Sequence, residues 1–354
     1  MENMALLTAG KDYPKNRADF NAWFPRDADC LDYLDWLRWP HGFVCEVCDV
    51  VGEAWRTGDG RYMCKGCGHR ASVTAGTIFH RTRTPLTVWF IAAWVMTSAK
   101  NGFSALALKR EGDFGSYQTA WAMLHKLRSC MSQEGRDRLR GTVQVDETFV
   151  GAAEEGRPGR SREKAALVVI AAEVKDGGGI GRARMRVVPR ANEETLLPFI
   201  QDVVVPGSKI VTDGWSGYRN LGSRGYTHIA KSQRKARLAA KESGTQAPDL
   251  LPEIHRIASL FKRWLMGTHQ GAYHEDHLQS YLDEFVFRFN RRTAKSRGLV
   301  FYRLLETAVR TGPYPYRDMI RNPQPGSRNP TPPKGRGKPR SLDVPRASRP
   351  WRET

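Results

Sequence analysis

Two aspartates placed alike carry the clearest chemical potential in this chain. Thr142-Val143-Gln144-Val145-Asp146-Glu147 and Lys209-Ile210-Val211-Thr212-Asp213-Gly214 are both β-like runs that deliver a carboxylate at their ends. Side chains alternate along a strand, so Val143 and Val145 face one way while Gln144 and Asp146 face the other, and Asp213 follows Ile210-Val211-Thr212 in a similar setting. Two such aspartates can share a divalent metal. A third component lies in Ile254-His255-Arg256-Ile257-Ala258-Ser259-Leu260-Phe261-Lys262-Arg263, which reads as a helix. His255 and Lys262 are close to two helical turns apart and share a face, so one can ligate metal while the other touches a phosphate. Taken alone, a His on an amphipathic helix is more often a surface or core residue. Glu253 is a nearby carboxylate able to take the same position.

A second metal site is written in the cysteines. Cys45-Glu46-Val47-Cys48 and Cys64-Lys65-Gly66-Cys67 have fifteen residues between them. This spacing matches a tetrahedral, structural Zn2+ site, since four thiolates leave no coordination position open for catalysis. Gly66 and Gly68 help the second knuckle to turn. A disulfide-stapled knuckle is the alternative, and it fits poorly with a chain that reads as cytosolic. Cys30 and Cys130 stand alone and read as core residues.

The elements that must position these groups fall into an order. Residues 1–40 read as an N-terminal helical segment and 41–80 as a zinc ribbon. Thr84 to Met96 starts like a helix with Pro85 in its first turn and is apolar on most sides, so it should be buried. Phe103 to Arg110 and Ser116 to Arg128 have the layout of a helix-turn-helix within a helical, DNA-binding region over 81–135, although a helical hairpin packed on the ribbon fits nearly as well. From Thr142 the pattern becomes strand, strand, strand, helix, strand, helix, strand, helix. That is the order of a ribonuclease-H-like fold, an α/β domain with a mixed sheet, expected over 140–312. In it the first and fourth strands are neighbours, which brings Asp146 to Asp213. Lys231 to Asp249 is polar without strong periodicity and reads as a loop. Leu278, Leu282, Phe285 and Phe289 form the apolar stripe of a further helix, whose Arg288, Arg291 and Arg292 either touch DNA or favour the helix C-terminus. The Pro-rich basic tail over 322–354 should be disordered.

The balance of charge points to the partner. The 354 residues carry a formal net charge of +19, and such an excess of Lys and Arg gains from counterion release on a phosphate backbone. A solvated basic surface is the bland alternative. No apolar run approaches a membrane span, and Met1 to Arg17 lacks a signal-peptide core, so a cytoplasmic protein is expected.

Together, Asp146-Glu147-Thr148-Phe149-Val150-Gly151, Thr212-Asp213-Gly214-Trp215-Ser216-Gly217-Tyr218, the His255 to Lys262 helix, Gly267-Thr268-His269 and Tyr281 to Arg292 resemble the ISXO-like transposases of bacterial insertion sequences. The cysteine ribbon and Ser72 to His80 resemble the N-terminal half of the same family. The resemblance implies DNA transposition by a DDE-type mechanism with Mg2+ or Mn2+, acting on element ends and target DNA as a homo-oligomer. It implies Asp146 and Asp213 as the first two metal ligands, with Lys262 and the adjoining Arg263 against DNA. His255 stands where many DDE transposases have Glu, which matters because Mg2+ prefers oxygen and imidazole suits softer ions. Ala152 replaces a second Gly common in the motif, and Glu147 is expected to point away from Asp146 and serve as a salt-bridge partner. A catalytically inactive or domesticated zinc-ribbon DNA-binding protein, and a nuclease of the same fold without joining activity, are the alternatives.

Overall fold

The computed structural model describes residues 7–52, 54–112, 114–132, 134–151, 165–271 and 273–321. The tail expected after 322, and Ala152, lie outside them. The chain forms two compact units, Met1–Ser132 with Thr293–Thr354, and Gln133–Arg292. Among the described residues no helix is long and apolar enough to cross a membrane.

The first unit opens with α1 (Arg17–Trp23), whose N-cap Asn16 side chain accepts from the Asp19 N–H, and α2 (Asp27–Arg38), with Asp27 and Asp29 in its positive first turn. A small antiparallel sheet follows, β1 (Ala54–Arg56), β2 (Tyr62–Cys64) and β3 (Arg70–Ala71). Next come α3 (Leu86–Ser98), with eight buried residues as its apolar composition requires, then α4 (Ala105–Glu111) and α5 (Tyr117–Ser129), each capped by a serine side chain, Ser104 and Ser116. Tyr117, Gln118 and Thr119 at the start of α5 are exposed.

The ribonuclease-H-like domain was expected over 140–312; the second unit ends at Arg292, and the helix Arg297–Ala308 packs on α3 and α2 in the first. Aromatic packing decides this. Phe301 is fully buried, with the rings of Phe20, Phe24, Tyr33, Phe90 and Trp94 at 5.5, 5.9, 6.4, 5.8 and 5.6 Å. Gly298 fits because a Cβ there would lie 1.7 Å from the Pro14 carbonyl oxygen. Phe301→Ala should cost about 3–5 kcal/mol in a denaturant titration of the first unit. A loss below about 1 kcal/mol would show that this ring is not its keystone.

The second unit is built on β4 (Thr142–Val150), β5 (Ala166–Val174), β6 (Ile180–Val188), α6 (Glu193–Val203), β7 (Lys209–Thr212) and β8 (Thr227–Ala230), with sheet order β6-β5-β4-β7-β8. β4, β5 and β6 form the antiparallel meander, while β4 and β7, then β7 and β8, pair parallel. The mixed five-stranded sheet is the ribonuclease-H-like arrangement, with the first and fourth strands adjacent. The connection between β7 and β8 is a 3-10 run, Ser216–Arg224, in place of the expected α-helix; its two glycines, Gly217 and Gly222, disfavour a longer helix.

Alternation then divides β4 between two cores. Val143 and Val145 join Leu196, Phe199, Ile200 and Tyr218 on one face. On the other, Val150, Ile170 and Val211 meet Ile254, Ile257 and Phe261 of α8 (Pro252–His269) and Leu282 and Phe285 of α9 (Leu278–Phe289). The segment expected as a loop before α8 contains α7 (Gln233–Glu242), capped by Ser232. Its Ala, Lys and Arg content gives helix propensity, but Leu238 is its only large apolar residue, too little to mark a core-facing stripe. The arginines in the last turn of α9 and just beyond it are engaged within the fold. Arg288 pairs with buried Glu284, Arg291 lies over the Phe287 ring, and Arg292 donates to the carbonyls of Gly181 and Ile180 on β6.

Candidate active site and zinc cluster

Four thiols converge in the ribbon. The Sγ atoms of Cys45, Cys48, Cys64 and Cys67 lie within 4.8 Å of one another, with Cys45 and Cys67 3.7 Å apart and Cys48 and Cys64 3.5 Å apart. These separations are far beyond a disulfide bond of about 2.05 Å. They approach the edge of about 3.8 Å that a tetrahedron with Zn–S of about 2.3 Å requires. The second knuckle is tight enough that a Cβ at Gly66 would meet Val50 Cγ2 at 2.9 Å, and Gly68 turns at φ +70. The donors fit a structural zinc ion. Cys30 and Cys130 are buried away from it, as core residues.

The candidate active site lies midway along β4, where Asp146 is the fifth of nine residues and not the strand-end residue expected, because the pairing with β5 continues to Val150; Asp213 does follow the end of β7. The last registered pair on the parallel strands is Gln144 with Val211, so Asp146 and Asp213 each stand two residues farther on. Gly214, at φ +85, turns the chain immediately after Asp213. Asp146 Oδ1 accepts the Glu147 N–H at 2.8 Å, which leaves Oδ2 to face His255 Nε2 at 3.5 Å. Asp213 Oδ1 accepts the Trp215 N–H at 2.9 Å. Burial, above all, raises the Asp146 carboxyl above its ordinary range; the Glu147 N–H opposes the rise, the charge of Asp213 adds to it, and His255 works against it. Asp213 is therefore near enough to be felt. Still, among the described residues only the four cysteines bring three or more ligand atoms within 4.8 Å of one another, so Asp213 does not close that tightly on Asp146 and His255.

α8 runs across the same face and presents three polar side chains to β4 in succession. Glu253 accepts from the Gln144 amide, His255 reaches Asp146, and Lys262 Nζ donates to Thr148 Oγ1 at 2.7 Å. Glu253 is thus tied to Gln144, and it is the imidazole that approaches Asp146. Arg263, beside Lys262, is exposed.

Glu147 points to the opposite face from Asp146, as strand alternation requires. The expected salt bridge is replaced by a hydrogen bond, because the Tyr218 hydroxyl, buried from the other side, donates to its carboxylate. Burial raises the Glu147 carboxyl, the Tyr218 bond opposes this, and the charges of Asp146 and Asp213 add to the rise, leaving it at about 7. A carboxyl with a raised folded-state pKa loses stability as pH climbs from its unfolded value toward the folded one. The metal-free protein should therefore weaken between about pH 4.5 and 7, by on the order of 3 kcal/mol. Glu147→Gln should flatten that slope in urea titrations across this range; an unchanged slope would place the titration elsewhere.

Tyr218 and Trp215 lie in the Thr212 to Tyr218 motif and Asp249 ends the segment read as a loop, but sequence patterns gave none of the three a role. Trp215 is half-exposed, and its indole N–H is fixed on the Ala191 carbonyl at 2.7 Å. Asp249 Oδ1 lies 2.6 Å from His255 Nδ1 and also accepts the Leu251 N–H at 3.1 Å.

A ribonuclease-H-like sheet thus carries Asp146 within its first strand and Asp213 just past the adjacent one, with a four-cysteine ribbon ahead of it in the chain. Residues 138–290 match the ISXO2-like transposase domain and residues 25–70 the transposase zinc-ribbon domain. The chain is 25% identical over 285 residues to a protein of Halobacterium salinarum described as an uncharacterized protein in transposable element ISH50, covering 75% of this chain and 91% of that one. The chain therefore carries an ISXO2-like transposase domain behind a transposase zinc ribbon.

Proposed function

We propose that this protein is an insertion-sequence transposase that cleaves DNA at element ends and joins the freed strand to target DNA, with Asp146, Asp213 and His255 holding a catalytic divalent metal. The observation that supports this most is the approach of His255 Nε2 to the unoccupied side of the Asp146 carboxylate, next to Asp213 at the end of the neighbouring strand. Two carboxylates and an imidazole offer a donor set that suits Mn2+ well and Mg2+ less well. When bound, a divalent ion supplies activation of the attacking oxygen and neutralises charge on the leaving one.

The chain's own residues perform the remaining work. The Glu147 N–H fixes the Asp146 carboxylate, and the Asp213 turn is held by Trp215 N–H. Lys262, now on Thr148, stands on the α8 face where a DNA phosphate adjoining the carboxylates would take its ammonium, with Arg263 beside it. The zinc ribbon and the α4–α5 hairpin bind DNA, and handling two ends at once calls for more than one copy. No residue need form a covalent bond to DNA.

The test is a strand-transfer assay with full-length protein, labelled DNA carrying the element's ends, and Mg2+ or Mn2+. Joined products, more in Mn2+ than in Mg2+, are expected. Cleavage without joining would make the protein a nuclease, and binding without cleavage a regulator.

A further inference from the structure

Asp249 closes the polar loop just ahead of α8, six residues before His255. Its Oδ1 lies 2.6 Å from Nδ1 of the imidazole, while Nε2 on the opposite edge of the ring lies 3.5 Å from Asp146 Oδ2. The ring is thus held between two carboxylates that address different nitrogens. An imidazole binds a metal only through a nitrogen without a proton, and which nitrogen is free is set by the bond that the other makes. With Nδ1–H donating to Asp249, the lone pair falls on Nε2, on the Asp146 side. The anchor is itself fixed, because the same Oδ1 accepts the Leu251 N–H in a short turn at the helix entrance. His255 is about half exposed, so packing alone does not orient it.

We propose that Asp249 is the positioning residue of His255: it selects the tautomer that presents Nε2 toward Asp146 and strengthens the imidazole as a metal donor. The proposal rests on His255 being a ligand of the catalytic metal. It also gives a physical reason why His can stand where other DDE enzymes use a carboxylate, since the second carboxylate returns part of the negative charge that the substitution removes.

The alternative role for Asp249 is purely structural, through its bond to Leu251. A double-mutant cycle separates the two. Mn2+ affinity would be read by electron paramagnetic resonance on the zinc-loaded full-length chain, without DNA or turnover. Asp249→Ala should weaken Mn2+ binding about 10–100-fold, the usual cost of losing an outer partner of a metal-bound imidazole. In a His255→Ala background the same substitution should change affinity by less than about twofold. An undiminished effect in that background, or no effect beside intact His255, would overturn the proposal. Should Asp249→Ala melt early, Asp249→Asn keeps the acceptor for Leu251; its loss of about tenfold must likewise vanish beside His255→Ala. If His255→Ala alone leaves Mn2+ affinity unchanged, His255 is not a ligand and the reading beneath the proposal fails first, which the cycle reports separately.

Discussion

Removing one buried thiolate from the ribbon, as Cys64→Ser, should abolish stoichiometric zinc and unfold the ribbon while the second unit keeps its fold. The ribbon has little else to stabilise it. Its sheet is three short strands, and its core of Phe43, Cys45, Cys64 and Ala71 is capped by Trp39 and Tyr62. A patch of that size buries too little apolar surface to offset the entropy of ordering the knuckles. Structural zinc contributes about 10–16 kcal/mol of apparent binding free energy in comparable small sites. Metal analysis should give one zinc per wild-type chain and none in the variant. Limited proteolysis should then cut between residues 41 and 80, with 165–271 remaining resistant. A zinc-free variant whose ribbon stays resistant would show that the metal is dispensable for folding.

The second large effect concerns the carboxylates. Asp146→Asn keeps the size of the side chain and an acceptor for the Glu147 N–H, but it removes the charge that faces His255. Loss of one ligand charge from such a site should reduce metal-dependent cleavage by about a thousandfold, equivalent to about 4 kcal/mol of transition-state stabilisation. Folding should survive, because Asp146 is raised in pKa mainly by burial and its neutralisation relieves that penalty. Single-turnover cleavage rates at saturating Mn2+, with melting temperatures alongside, would check both halves. A loss under about tenfold would remove Asp146 from the machinery.

Much of the positioning was legible in the sequence because it depends on local periodicity. Alternation in Val143, Val145 and Asp146 predicted which way the carboxylate faces, and the Cys-x-x-Cys pairs predicted the cluster. The His255 and Lys262 pair followed from the helical turn. The partnerships that orient these groups obey no such period. Asp249 meets His255 across a loop-to-helix junction, Tyr218 reaches Glu147 from the far core, and Gln144 takes Glu253 from a helix 109 residues away. α7 was hidden by charge, and the helix Arg297–Ala308 looked like a continuation of the ribonuclease-H-like domain until its aromatic partners in the first unit fixed its place. Arg288, Arg291 and Arg292 show the converse case. A basic cluster at a helix end reads either as a DNA contact or as charge favouring the helix C-terminus, and only the fold shows that the three meet Glu284, a ring face and strand carbonyls.

Iron-directed cleavage of the polypeptide tests the central claim most directly. Fe2+ in place of the catalytic ion, with ascorbate and peroxide, generates radicals that cut the backbone nearest the bound metal, and the fragments can be mapped by mass spectrometry on the zinc-loaded full chain. Cuts concentrated around Asp146, Asp213 and His255, and suppressed by excess Mn2+, are the predicted result. Cuts elsewhere, with these three segments intact, would contradict it.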